Sequence, residues 1–306
     1  MTTINKDYLS IIKQSLRGLL DTKCDPDWQF FFQSNDDFKR LMTNGNIRTL
    51  LSSKRLENIE LAIQHICDHQ IKGDIFEAGC WRGGALLYAK ACLNVYDKEC
   101  QRTIYGADLF PQSKSYVSNR FQLLTLKILM RCLPIFPQTL QKKLVNYILE
   151  AFPNEEYSET TKSKIRYFCS QLSYIPKKDI NPTSYDDVIE AFKRYHLYDQ
   201  RVKLVQGWFD QTFPDLEKQI KELSLLRVDA DFYQSTLHAL TTFYPKLSEG
   251  GICIIDDYGG FDDCKRAVDE YRSQHNITST MHSVDGICYY WFQSGNGKEY
   301  VLNQPR

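Results

Sequence analysis

Several things are missing from this sequence of 306 residues, and each absence narrows what it can do. Lys+Arg and Asp+Glu are both 38, so no global field draws it to nucleic acid or to an anionic surface. No uninterrupted apolar run reaches the roughly 18–20 residues that cross a bilayer. The start, MTTINKDYLS, lacks the apolar core of a signal peptide, and cytoplasmic residence is the expectation. Ten cysteines are scattered without a CxxC pair, which points to reduced, buried thiols and against disulfides or zinc. No internal repeat and no long linker is present.

What is present centres on Leu225 to Tyr258, LLRVDADFYQSTLHALTTFYPKLSEGGICIIDDY. It reads as a buried strand, Asp229 and Asp231, a helix, a Gly-Gly turn, a second buried strand, and Asp256 with Asp257. Parallel strands joined by a helix bring their C-terminal ends to one sheet edge, where α/β proteins bind ligands. Four carboxylates gathered there repel one another unless a cation neutralises them. A hard divalent metal held by oxygen, with positions open for substrate, fits that set. The plainer alternative is that these acids cap helices and end loops.

Along the chain, helical spacing covers Lys6–Leu20 and about Lys54–His69, with an aromatic connector, Trp28 through Phe32, between them. His65 and His69 have metal-ligand spacing but no third ligand nearby, so a surface helix is expected. Asp74–Ala78 reads as a strand, Gly79–Gly84 as a glycine-rich turn and Ala85–Tyr96 as an apolar helix. Such a cradle presents backbone N–H groups to a ligand. Glu77 just before it is placed to meet a cationic amine. The next strand, Thr103–Ala107, ends in Asp108, where an acid commonly accepts from ribose hydroxyls, or simply caps the turn.

From Gln112 to about 183 the order breaks. The stretch to Leu149 has six basic residues and no acid, and contains FQLLTLKILMRCLPIF. This reads as a helical insertion: a lid, an oligomer contact, or an amphipathic surface touching a membrane peripherally. Alternation then resumes with a helix to about Tyr195 and the strand RVKLVQGWF. Its end, Gly207-Trp208, can set an aromatic face against a flat base or tuck it into the core. A helix from about Asp262 to His275 precedes strands Thr278–Val284 and Ile287–Gln293, closed by Asp285-Gly286 as a type I′ turn.

Alternating β/α units ending in an antiparallel hairpin describe the methyltransferase form of the doubly wound α/β sheet. Here EAGCWRGG, DADFYQST and IIDDYGG, with TLLSSKRLENI, YPKLSEGG and WFDQTFP, resemble the macrocin O-methyltransferase family. The likeness runs from about Thr49 to Trp291 outside the insertion. Departures are Ala230 for glycine, Cys80 for valine and Gln234 for glutamate. The expected division is an N-terminal helical cap over residues 1–70 and a class I methyltransferase domain over 71–306 that carries the insertion at about 112–183. It also implies methyl transfer from S-adenosylmethionine to a sugar hydroxyl, assisted by Mg²⁺. Asp229, Asp256 and Asp257 would ligate the metal and Asp231 would be the general base. Glu77 and the loop carrying Gly79, Trp81, Arg82 and Gly83 would hold the methionine end. Asp108 would take the ribose, Gly207-Trp208 the adenine edge, and Thr49 to Ser52 would close over the cofactor.

The chemistry agrees. In-line displacement at a sulfonium methyl needs an oxygen nucleophile held close. A metal that chelates two neighbouring oxygens orients them and lowers the pKa of one. Asp231 could then accept the proton, with His282 as a second candidate base. A catechol-like diol offers the same chelate as a sugar, and a non-catalytic scaffold docking a partner through the insertion is the reading of a different kind.

Overall fold

The computed structural model describes residues 2–20, 46–97, 102–110, 184–294 and 300–302. The aromatic connector and the insertion at 112–183 lie outside these residues.

Seven strands form one sheet in the order β3-β2-β1-β4-β5-β7-β6. They are β1 Asp74–Ala78, β2 Ile104–Asp108, β3 Val202–Gln206, β4 Leu223–Val228, β5 Leu247–Ile255, β6 His282–Ser283 and β7 Tyr289–Phe292. The first five pair in parallel and β7 runs antiparallel beside β5. Helices α1 Thr3–Leu16, α2 Ser53–Asp68, α3 Gly84–Tyr96, α4 Tyr185–Arg194, α5 Phe209–Gln219, α6 Tyr233–Phe243 and α7 Asp262–Gln274 cover the two faces.

Side-chain alternation divides the core between those faces. Ile75, Ile104, Leu225, Ile252 and Ile254 pack with Leu56, Ile59, Leu86 and Leu16 on the side of α1–α3. Phe76, Leu226, Val228, Cys253 and Ile255 pack with Phe213, Leu240 and Val268 on the side of α5–α7. All six residues of β4 are buried, because both of its faces are covered. Each such aliphatic side chain contributes about 1.5–3 kcal/mol by leaving water.

Three local expectations are corrected. Gly250-Gly251 is no turn between elements but lies inside β5, with Gly250 at φ 77° and its carbonyl 3.1 Å from His65 Nε2. His65 is accordingly buried, since that side of α2 packs on Phe292 of β7. The hairpin turn is not type I′, because Gly286 has positive φ and Asp285 does not. Val284 N–H instead donates to Cys288 O at 2.8 Å, enclosing a three-residue loop whose N–H groups the Asp285 side chain ties down. Paired strand in that hairpin is short, confined to β6 and β7.

The six described cysteines are free thiols, five of them buried. Among the described residues no helix is long and apolar enough to cross a membrane.

Candidate active site

The strand order reverses between β1 and β4, and the C-terminal ends around that point carry the charged residues. Glu77 sits one residue before the end of β1, two positions on from Ile75 and on the same face. Arg227 and Asp229 continue the face that Leu225 begins, and Asp256 continues that of Ile252 and Ile254. Four charged side chains therefore converge on one side of the sheet edge.

Arg227 is at the centre of that group and is 4% exposed. Its Nη1 pairs with Glu77 Oε1 and, at 3.0 Å, with Asp229 Oδ2, while Nη2 pairs with Asp256 Oδ1 at 2.5 Å. Burial raises the Glu77 carboxyl to about 7 even against the opposing Arg227 charge. Glu77, expected to meet a ligand amine, is itself buried and faces Arg227.

The acid pair at the end of β5 is split. Strand β5 ends at Ile255, and the two acids lie in the turn that follows it. Asp256 turns to the arginines: besides Arg227, Arg55 Nη1 donates to its Oδ2 at 2.8 Å. Asp257 turns the other way and joins Asp229 and Asp231. One carboxylate oxygen from each of these three lies within 4.8 Å of the others. Burial pushes Asp229 and Asp257 well above the usual carboxylate range, with Asp256 adding to the first and Asp231 to the second. Burial likewise raises Asp231, to about 6, against a lowering hydrogen bond with Asp257. Oxygen-only donors with crowded negative charge suit a hard divalent cation.

Asp229 and Asp231 meet through a turn and not along an extended strand. Strand β4 ends at Val228, and Asp231 is left-handed at φ 58°, costing of order 1–3 kcal/mol in a non-glycine residue. Ser235 Oγ donates to Ala230 O at 2.7 Å and steadies this turn.

The glycine loop abuts the same place. Gly79 has φ 84°, and a Cβ on it would overlap the Asp229 carbonyl, so only glycine lets this loop lie against the end of β4. At Gly84 a Cβ would run into the Arg48 carbonyl and Thr49, bringing the buried Thr49 onto the start of α3. Arg82 is buried, donates to Ile47 O at 3.0 Å and lies over the Trp81 ring, whose own φ is 43°. Asp108 Oδ2 accepts from the N–H groups of Cys80 and Trp81, both at 2.7 Å, so its carboxylate fixes the loop. Trp208 is 42% exposed at the start of α5 and is no core residue. His282 is not drawn into the carboxylate group: it stacks on Tyr290 on the edge strand, ring centroids 5.0 Å apart.

Sequence reading missed Arg227, Arg55 and Asp285. Arg227 had a legible signal, being a charge inside an apolar strand, in phase with Asp229. Arg55 and Asp285 carried none, since only the fold joins them to the site.

Comparison with known proteins fits this geometry. The model of the Macrocin-O-methyltransferase (TylF) family matches residues 42–131 and 169–293, and its break falls inside the expected insertion. The chain is 31% identical over 247 residues to the mycinamicin III 3''-O-methyltransferase of Micromonospora griseorubida, covering 80% of this chain and 78% of that one. It is 24% identical over 291 residues to the 8-demethyl-8-(2,3-dimethoxy-alpha-L-rhamnosyl)-tetracenomycin-C 4'-O-methyltransferase of Streptomyces olivaceus, covering 93% and 91%. The solved structure of the O-methyltransferase NovP superposes with a TM-score of 0.66 at 27% identity, over 95% of this chain and 100% of that one. With its strand order, its glycine loop and its strand-end carboxylates, this chain belongs to the macrocin O-methyltransferase family and is an O-methyltransferase.

Proposed function

We propose that this chain moves the methyl group of S-adenosylmethionine to a hydroxyl of a sugar carried by a small molecule, with the help of Mg²⁺. The observation that carries the reading is the meeting of Asp229, Asp231 and Asp257 beside the glycine loop. The rhamnosyl acceptor in the name of the Streptomyces olivaceus relative supports a sugar over a catechol. The Trp208 ring, 42% exposed after β3, would lie against the adenine edge, and Thr49 is packed where the 79–84 loop turns into α3.

Each part of the machinery then has a task. Asp229 and Asp257 would hold the cation, which would act as a Lewis acid that makes a nearby hydroxyl more acidic. Asp231 accepts the proton of the attacking hydroxyl. Its left-handed turn holds its carboxylate beside the pair, in reach of a hydroxyl placed there. The placement of His282 outside the group favours Asp231 for that role. Glu77 and Arg227 balance charge beneath the loop.

The test is methyl transfer from labelled S-adenosylmethionine to a panel of glycosides and to catechols, with Mg²⁺ and with chelator. Turnover on a glycoside that stops with chelator is expected. Asp231→Asn should lower kcat by about 10²–10⁴-fold and leave cofactor affinity unchanged. Chelator-insensitive turnover, or preference for catechols, overturns the assignment.

A further inference from the structure

Residues 47–52 have no helix or strand of their own, yet Ile47, Arg48, Thr49, Leu51 and Ser52 are buried. A buried irregular stretch stays in place only if other elements hold its polar groups. At its start, Leu16 O accepts from Arg48 N at 2.7 Å and Thr49 N at 3.2 Å, and Arg82 of the glycine loop donates to Ile47 O. At its end the holder is Asp285, whose side chain is 0% exposed. The two oxygens of that carboxylate serve different parts of the molecule. Oδ1 accepts from Ile287 N at 3.1 Å and Cys288 N at 2.9 Å, both within the hairpin loop. Oδ2 accepts from Ser52 Oγ at 3.1 Å and Arg55 Nε at 2.7 Å, both at the start of α2. The stretch is therefore fastened to the glycine loop at one end and to the terminal hairpin at the other.

We propose that Asp285 is a positioning residue for the methyl donor. Through Oδ2 it holds Ser52, and with it the 47–52 stretch, in the shape that covers the bound donor. The inference rests on the donor reading above and on the closure that the family resemblance implies for Thr49 to Ser52. Both oxygens of Asp285 are committed to protein donors, so it acts through Ser52 and not on the ligand. A stretch already fixed at both ends loses little freedom when the donor binds. One that is loose at Ser52 has to be ordered by the donor, and binding weakens accordingly.

The experiment is calorimetric titration of S-adenosylhomocysteine into the full-length chain and its variants, at a temperature where circular dichroism shows each one folded. Asp285→Asn keeps an oxygen for the Ile287 and Cys288 N–H groups and turns an amide toward Ser52 and Arg55. Arg55 retains its pair with Asp256, so no buried charge is orphaned. This variant should bind about tenfold more weakly than wild type. Ser52→Ala should lose a similar factor, and the double variant should lose no more than Asp285→Asn alone. Ser52→Thr, which keeps the hydroxyl, should bind like wild type. If Asp285→Asn does not fold, Ser52→Ala against Ser52→Thr carries the test. Wild-type affinity in Asp285→Asn or Ser52→Ala, or losses that add in the double variant, overturns the positioning role. A wild-type chain that binds no S-adenosylhomocysteine overturns the donor reading itself and this inference with it.

Discussion

Arg227 decides whether the acids around it can coexist. Glu77, Asp229 and Asp256 all contact its guanidinium, which is buried together with Glu77 and Asp256. Removing one member of a buried ion network leaves its partners uncompensated, which costs about 3–5 kcal/mol, far more than the intact pairing contributes. Arg227→Met should therefore lower stability by about that amount in urea melts, despite a similar side-chain volume. A loss below about 1 kcal/mol would show that the carboxylates protonate at little cost and need no counter-charge. At this scale the sequence was legible in its acids and silent on their partners. Strand-end aspartates announce themselves by type and position. Which of two neighbouring aspartates joins Asp229 and Asp231 is set by the turn after β5, and there Asp256 meets the arginines instead. Arg55 could not be found at all, because its link to Asp256 and Asp285 exists only after α2 docks.

Between elements, the contacts that fix the site are carried by loops and caps. Ser52 caps α2 by accepting from Arg55 N at 3.3 Å and also donates to Asp285, so one residue joins the helix start to the hairpin turn. The turn departs from type I′ as Asp285 accepts from the Ile287 and Cys288 N–H groups in a local Asx arrangement, while Ser52 and Arg55 hold the same side chain from α2. A second tie joins α3 to the start of β3: the buried Lys90 reaches Asp199 Oδ2 at 2.9 Å, with Arg201 on the same carboxylate. Burial alone would raise the Asp199 carboxyl, but hydrogen bonds from Arg201 and Lys90 outweigh it and hold it below the usual range. Such a depressed carboxylate adds stability above its unfolded pKa of about 3.9, and that stability is lost as pH falls through the folded value. Asp199→Asn should thus melt earlier than wild type at neutral pH, with the gap closing below about pH 4. A gap that is constant with pH would mean the pairing is not electrostatic. Helix and strand identities were mostly readable from spacing, as with Asp74–Ala78 and the helix at 84–96. Boundaries at Gly250-Gly251 were not, because a glycine pair signals a turn locally while β5 uses it to let Ile71 and Tyr300 approach.

Taken as a molecule, the chain is a parallel sheet whose switch point, between β1 and β4, has been loaded with acid and closed over by a glycine loop. Gly79 is where these two features touch, since the loop can reach the end of β4 only without a Cβ. The glycine loop and the strand end bearing the carboxylates are therefore in direct backbone contact. The central claim is that Asp229, Asp231 and Asp257 enclose the position of a single divalent ion. Crystals of the full-length protein soaked in Mn²⁺, with diffraction recorded above the manganese edge, test it most directly. The account predicts one strong anomalous peak among those three carboxylates, lost in Asp229→Asn and Asp257→Asn. Manganese bound elsewhere, or no peak in crystals of protein that transfers methyl groups, would contradict it.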